Sequence, residues 1–220
     1  MRPATFLLCC VPVTLSACTT PTQFTTGGAN TSADKGKSYL WSFDAAAGGL
    51  PADLFSVLGQ WKVEGDGGAP SAPNVLRQSG SYHAGDFPRA LVKDLVFADA
   101  TVAVRCRPEA GSTDQACGLM FRLTDSDNYY VVRANALEGN VNLYHVIGGN
   151  REQFAGADTP VASAAWHTLE AAARGTSLSV KWDGAQVITA SDATFASGRI
   201  GLWTKADSRT AFDDLTAIAE

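Results

Sequence analysis

Residues 178–188 read Leu178-Ser-Val-Lys-Trp-Asp-Gly-Ala-Gln-Val-Ile188. Apolar side chains alternate with polar ones up to Trp182, which is the two-residue period of a strand with one buried face. Asp183-Gly184 then supplies a dipeptide that favours a tight turn between two antiparallel strands. The stretch therefore predicts a β-hairpin.

The same alternation recurs through most of the chain. Turn-forming Gly, Asp and Asn residues separate the runs, and many short strands at regular spacing are typical of a sandwich or barrel. The segment Glu170-Ala-Ala-Ala-Arg174 has helical propensity, but it is short and Gly175 follows at once, so we predict a strand there. The predicted strands cover residues 61–63, 90–92, 101–106, 118–123, 129–134, 141–147, 166–171, 177–182, 186–188, 199–204 and 212–218.

We therefore expect an all-β fold, a two-sheet antiparallel jelly-roll sandwich, spanning residues 38–220 as one domain. Two smaller domains would need a polar linker in mid-chain. The two candidate linkers, residues 69–73 and 156–160, are too short for that.

The N-terminal segment has the pattern of a secretory signal. Arg2 precedes an apolar stretch over residues 6–15, which is too short to span a bilayer as a stable helix. The run Leu15-Ser-Ala-Cys18 resembles the bacterial lipobox, which implies cleavage before Cys18 and lipid on its thiol. An ordinary secretory signal with a chance cysteine is the alternative.

The lipobox interpretation fixes the expected organisation and location. Residues 1–17 would be the signal peptide, and residues 18–37, rich in Thr, Gly, Ser and Ala, a flexible tether. The protein would be lipid-anchored in the bacterial cell envelope, and Thr19, instead of Asp, after the lipidated cysteine favours the outer membrane.

The net charge limits the classes of binding partner, and the number of cysteines indicates a disulfide. The formal net charge is −5 at pH 7, which argues against nucleic acid. The sequence has no polybasic patch, so we expect no membrane contact beyond the lipid anchor. Cys9 and Cys10 lie in the signal, so Cys106 and Cys117 are left, and in an oxidising compartment we expect them to form a disulfide.

Several motifs place strands and turns in a recognisable order. They include Gly59-Gln-Trp-Lys-Val63, Gly118-Leu-Met-Phe-Arg122, Trp166-His-Thr-Leu169, Val180-Lys-Trp-Asp-Gly184 and Gly198-Arg-Ile-Gly-Leu-Trp203. Over residues 39–219 the chain resembles the concanavalin A-like lectin/glucanase superfamily. Within it the chain is most similar to the laminin-G-like and 3-keto-disaccharide hydrolase domains of bacterial secreted proteins. The resemblance implies a jelly roll whose concave sheet binds ligands.

The sequence carries no clear catalytic or metal-binding motif. The family-16 glycoside hydrolases of this superfamily carry paired Glu on one strand, but none of the six Glu here has an Asp or Glu two or four residues away in a strand-like run. No two of the three His have metal-ligand spacing, so we predict no metal site or cofactor. A structural calcium is left open at Asp44 and Asp213, which each follow a Phe in the first and last strands.

Alternation also predicts a binding surface on the polar side of several strands. Aromatic rings can cover the apolar face of a sugar, while amide and guanidinium groups bind its hydroxyls. Trp203 is expected to be the main exposed platform, with Gly201 leaving room for a ligand. The alternative is that these residues pack under loops and that Arg133 forms a plain salt bridge. The predicted ligand-binding residues are Arg122, Tyr129, Arg133, Asn142, Tyr144, Trp203 and Lys205.

The favoured function is a lipid-anchored envelope protein that binds carbohydrate or cell-wall glycan. One alternative is a glycoside-cleaving enzyme of the 3-keto-disaccharide hydrolase type, which the missing Glu pair disfavours. The other is a structural envelope protein that binds a protein partner.

Overall fold

The computed structural model describes residues 31–32, 34–44 and 47–220. Within these ranges every regular element is a strand, so the predicted all-β fold is confirmed. No helix in this part of the chain has the length and apolarity needed to cross a membrane. Cys18, the predicted signal peptide over residues 1–17 and the tether up to residue 30 lie outside the described residues.

Seventeen strands follow one another along the chain. They are β1 (Thr31–Ser32), β2 (Ser38–Trp41), β3 (Leu54–Leu58), β4 (Trp61–Gly65), β5 (Asn74–Gln78), β6 (Arg89–Val92), β7 (Leu95–Val96), β8 (Ala100–Ala110), β9 (Ala116–Asp125), β10 (Asn128–Asn135), β11 (Asn140–Ile147), β12 (Asn150–Asp158), β13 (His167–Arg174), β14 (Ser177–Trp182), β15 (Ala185–Ser191), β16 (Arg199–Trp203) and β17 (Arg209–Ala219).

The strands form two antiparallel sheets that pack as a jelly-roll sandwich. One sheet has seven strands in the order β12-β11-β10-β9-β16-β6-β3. The larger sheet runs β15-β14-β13-β8-β17-β5-β4, and β2 also pairs with β17. A parallel pairing of β1 with β7 stands apart from both sheets, so Thr31–Ser32 of the predicted tether is already in strand conformation.

The core between the sheets follows from the alternation of apolar side chains. Along β8 the burial alternates residue by residue, which points Val102 and Val104 inward. Leu119 and Phe121 of β9 and Leu202 of β16 meet them from the opposite sheet. Burying this continuous apolar layer is the main term that favours folding.

The disulfide between Cys106 and Cys117 is present and lies inside this core. Both cysteines are fully buried, and their Cα atoms are 6.1 Å apart. Because β8 and β9 belong to different sheets, the bond crosses the sandwich instead of closing a long surface loop. The strands extend further than the sequence predicts, and only residues 111–115 connect them.

A second apolar cluster covers the outer side of the seven-stranded sheet. We call this surface the aromatic face; Tyr129, Tyr144 and Trp203 form its floor together with Met120 and Leu91. These five side chains are at most 6% exposed. The sheet is therefore apolar on both sides, which is unusual for an antiparallel sheet with one side toward solvent.

Candidate functional site

The strand register brings most of the predicted binding residues together on the aromatic face. Arg133 of β10 lies directly opposite Asn142 of β11, and Tyr144 lies two positions further along β11. Trp203 of β16 pairs with Gly118, which in turn pairs with Arg133 across β9. The predicted face assignment is therefore correct for these residues.

Arg122 is the exception, and its predicted place on this face is wrong. The pairing of β9 with β16 shifts by one residue between Met120 and Leu123, and Arg122 takes a positive φ of 48° at this bulge. An extra residue in a strand reverses the sides of the residues beyond it. Leu123 therefore joins the aromatic face, while the Arg122 guanidinium donates to the backbone oxygens of Ala98 and Gly175 at 2.9 and 2.8 Å.

Trp203 lies on the predicted face but is not an exposed platform. Its side chain is 0% exposed, because Phe87 stacks on the indole with 5.2 Å between ring centroids. Gly118 lies beneath it, where a Cβ atom would come 2.7 Å from Trp203 Cε3. The space beside Gly201 is filled by Leu91, so the expected room for a ligand there does not exist.

Arg151, to which no strand pattern in the sequence points, covers the same floor. Its guanidinium carbon lies 4.5 Å from the ring centroid of Tyr144, 5.0 Å from that of Phe87 and 5.6 Å from that of Trp203. Burial lowers the pKa of Arg151 from its usual value, and the positive charge of Arg133 acts in the same direction. Three rings thus hold a desolvated cation over the centre of the face.

Several buried polar atoms of the face have no hydrogen-bond partner among the described residues. They are Arg133 Nε and Arg151 Nη1, together with Tyr129 Oη and Trp203 Nε1 where only strict hydrogen-bond geometry is counted. Burial raises the pKa of Tyr129, but the Arg89 and Trp203 side chains act on its hydroxyl as donors and lower that pKa, so Tyr129 and Trp203 satisfy each other in part. Buried polar groups in folded proteins are nearly always satisfied, so each such atom calls for an acceptor or donor from water or a ligand. The two arginine nitrogens can only donate, so the face favours a ligand rich in oxygen acceptors.

An ionic cluster closes one end of the face. Arg133 Nη2 lies 2.5 Å from Glu138 Oε2, and Lys205 Nζ lies 2.5 Å from Asp114 Oδ2. The Asn135 side-chain amide donates to both carboxylates, at 2.6 Å to Asp114 and 3.0 Å to Glu138. The alternative interpretation, a salt bridge at Arg133, therefore describes that residue correctly, and Lys205 joins the same cluster through Asp114.

The loop that carries Asp114 is held by Asp207. The Asp207 carboxylate accepts hydrogen bonds from the backbone N–H groups of Ser112, Thr113 and Asp114 at 2.7–3.1 Å. Burial works against the ionised form, but these bonds outweigh it and hold the pKa of Asp207 well below its usual value. The loop geometry is therefore fixed before any ligand binds.

The described residues contain no group of three or more His, Cys, Asp or Glu side chains that could hold a metal ion. Asp213 accepts hydrogen bonds from the backbone N–H and the hydroxyl of Ser71 at 2.9 and 3.1 Å. Asp44 accepts one from the Asn74 backbone N–H at 3.4 Å. Calcium at Asp44 and Asp213 stays a prediction.

Searches with this sequence found no matching family model and no similar curated protein. Solved structures do match. The carbohydrate-binding module CBM66 of Bacillus subtilis aligns with a TM-score of 0.64 and 21% identity, over 76% of this chain and 96% of the module. A Bacillus subtilis protein of unknown function with a galectin-like fold aligns with a TM-score of 0.62 and 13% identity, over 85% of this chain and 99% of that one.

A Bacillus licheniformis β-glucanase also matches, with a TM-score of 0.55 and 12% identity, over 85% of this chain and 100% of the enzyme. At these identities the likeness concerns the fold alone, since one fold hosts many functions. The chain shares the jelly-roll sandwich fold of these structures.

Proposed function

We propose that this chain binds carbohydrate on the aromatic face. The observation that carries the proposal is the combination of aromatic rings with buried donors that have no partner among the described residues, above all Arg151 Nη1. Sugar recognition uses this combination, because rings cover the apolar face of a pyranose and donors bind its oxygens. The names of two structural neighbours, a carbohydrate-binding module and a β-glucanase, support the same class of ligand.

The accessible part of the face differs from the one that the sequence suggests. Trp203 and Tyr129 are fully buried, whereas Phe87 is partly exposed and stacks on the Trp203 indole. Phe87 therefore takes the platform role. Beside it, the exposed Gln153 side chain donates to Asn142 Oδ1 at 3.2 Å, and this amide pair presents further groups for sugar hydroxyls.

Binding is favoured over glycoside cleavage by the protonation state of Glu138, the partly exposed carboxylate of the ionic cluster. Burial opposes ionisation of Glu138, but the hydrogen bonds from Arg133 and Asn140 and the positive charges of Arg133 and Lys205 together outweigh it, so that the pKa of Glu138 lies below its usual value. A general acid for glycoside cleavage needs a raised pKa. Glu138 therefore suits a structural or ligand-binding role better than proton donation.

The amide pair offers a test that leaves the core untouched. The full-length chain in mild detergent is expected to bind a subset of glycans on an array. Gln153→Ala should weaken that binding about 2- to 10-fold, the effect of one lost hydrogen bond, as measured by calorimetry with the best glycan. Gln186→Ala, at an exposed glutamine on the edge strand β15 of the other sheet, is the matched control and should have no effect. Equal losses in both variants, or no glycan bound at all, would contradict the proposal.

We also propose that the mature chain is anchored to the bacterial outer membrane through a lipid on Cys18, with residues 1–17 removed. The supporting observation is the lipobox-like run Leu15-Ser-Ala-Cys18 at the end of an apolar segment. Cys18→Ala should move the protein from the detergent phase to the aqueous phase in a phase-separation assay, while Cys10→Ala should not. A Cys18→Ala protein that still partitions with the detergent would rule out the anchor.

A further inference from the structure

We propose that the sugar bound on the aromatic face is acidic and that its anionic substituent pairs with Arg151. This inference rests on the proposed function and narrows it to one class of glycan. The observation behind it is a partly buried guanidinium that meets three rings, and whose buried Nη1 has no hydrogen-bond partner among the described residues.

The other cations of the face have oxygen partners. Arg133 pairs with Glu138, and Lys205 pairs with Asp114. Arg89 donates to the backbone oxygens of Phe87 and Ser126. Arg151 alone of these four has no carboxylate within 4.0 Å and no hydrogen bond to another described side chain or backbone atom.

A desolvated cation without a counter-ion is unfavourable, and ring contacts compensate only in part. A carboxylate or sulfate is the natural complement, because the planar guanidinium fork binds two oxygens of one anion at once. The negative charges nearby do not compete with such a ligand. Asp114 and Glu138 are already paired with Lys205 and Arg133, and the largely exposed Glu152 lies against His145, with 3.5 Å between Glu152 Oε2 and His145 Nε2.

The surroundings of Arg151 point to a sugar and not to a free inorganic anion. Arg151 and Gln153 lie two residues apart on the same side of β12, opposite Val146 and Tyr144 of β11. Phe87 flanks the guanidinium, with 5.0 Å from its ring centroid to the guanidinium carbon. One pyranose could therefore contact a ring, an amide and the cation together, which a small inorganic ion could not.

Matched oligosaccharides test the inference by calorimetry on the full-length chain in mild detergent. The probes are trigalacturonate, a sulfated galactotriose and neutral galactotriose. At least one acidic probe should bind about tenfold or more tightly than neutral galactotriose, and Arg151→Gln should remove that advantage, with a loss of about 10- to 100-fold. The carboxylated and sulfated probes show which anionic group is preferred.

Two further variants separate the guanidinium geometry of Arg151 from a general effect of net charge. Arg151→Lys keeps the charge but not the fork and should fall between the parent and Arg151→Gln. Arg174→Gln makes the same change of charge at a half-exposed position on the larger sheet and should leave all affinities unchanged.

The failures of the two proposals are distinguishable. If neutral and acidic probes bind equally well and Arg151→Gln has no effect, the acidic ligand is wrong while carbohydrate binding stands. If neither these probes nor any array glycan binds, the proposed function is wrong as well.

Discussion

Trp203→Ala is expected to lower the free energy of unfolding by about 3–5 kcal/mol, the usual loss for a large buried aromatic side chain. The indole is 0% exposed and is packed between Phe87 on one side and Gly118 beneath. Its removal would leave a cavity under Phe87 and Arg151, which the backbone of β16 cannot fill because it is paired on both sides. Denaturant unfolding followed by circular dichroism measures the effect.

Two variants make this result interpretable. Trp203→Phe keeps a ring against Phe87 and should lose clearly less than Trp203→Ala. Trp166→Ala removes an indole of the same size that is partly exposed and lies against Arg107, with 4.8 Å from ring centroid to guanidinium carbon. It should lose about 1 kcal/mol. If Trp203→Ala were as mild as Trp166→Ala and still abolished glycan binding, the exposed-platform interpretation would return.

The sequence predicts the sandwich because alternation is strong wherever a strand contributes to the inter-sheet core. All eleven predicted runs coincide with strands, including Glu170–Arg174, whose helical propensity is overridden by its place between β8 and β14. The missed strands have weaker patterns. The clearest case is β12, an edge strand that mixes charged and small residues over Asn150–Asp158. The Gly148-Gly149 turn that follows β11 could have indicated a returning strand there.

Missing β12 also explains why the candidate site was only partly predicted. Alternation along β10, β11 and β16 correctly places Arg133, Tyr144 and Trp203 on one side of the sheet. It carries no information about what covers them. Arg151 comes from the missed strand and Phe87 from a loop, so the roof of the face could not be derived from strand periodicity.

A β-bulge also limits what the two-residue alternation of side chains in a strand can predict. Periodicity assumes that each residue reverses the side of the one before, and the bulge between Met120 and Leu123 breaks that rule. Residues 120–123 contain no Gly, Asn or Asp that would mark the bulge, since Arg122 itself adopts the positive φ. A single sequence therefore puts Arg122 and Leu123 on the wrong sides.

Replacing Arg122 is expected to have the second large effect on stability, because of the contacts that its side chain makes. Its guanidinium is 2% exposed and donates to backbone oxygens in three separate connections. These oxygens belong to Ala98 before β8, Gly175 between β13 and β14, and Phe195 between β15 and β16. The side chain also pairs with Asp99 at 3.0 Å, so that one cation joins the ends of both sheets.

Arg122→Ala is therefore expected to lower the free energy of unfolding by about 3–5 kcal/mol, as for a buried ionic group whose partners are left behind. Denaturant unfolding measures the loss. Arg122→Lys should restore only a fraction of it, because one ammonium cannot reach three carbonyls and a carboxylate in the geometry of a guanidinium fork. Arg174→Ala removes a half-exposed arginine that pairs with Glu220, and it should lose less than about 1 kcal/mol.

Glycan binding separates the structural role of Arg122 from the binding role that the sequence suggested. Arg122 points away from the aromatic face, toward the connections at the sheet ends. At a temperature where the protein is folded, Arg122→Lys should therefore bind the best array glycan with the affinity of the parent. A selective loss of affinity in a stable Arg122→Lys protein would show instead that the residue contacts the ligand and that the bulge does not exist in solution.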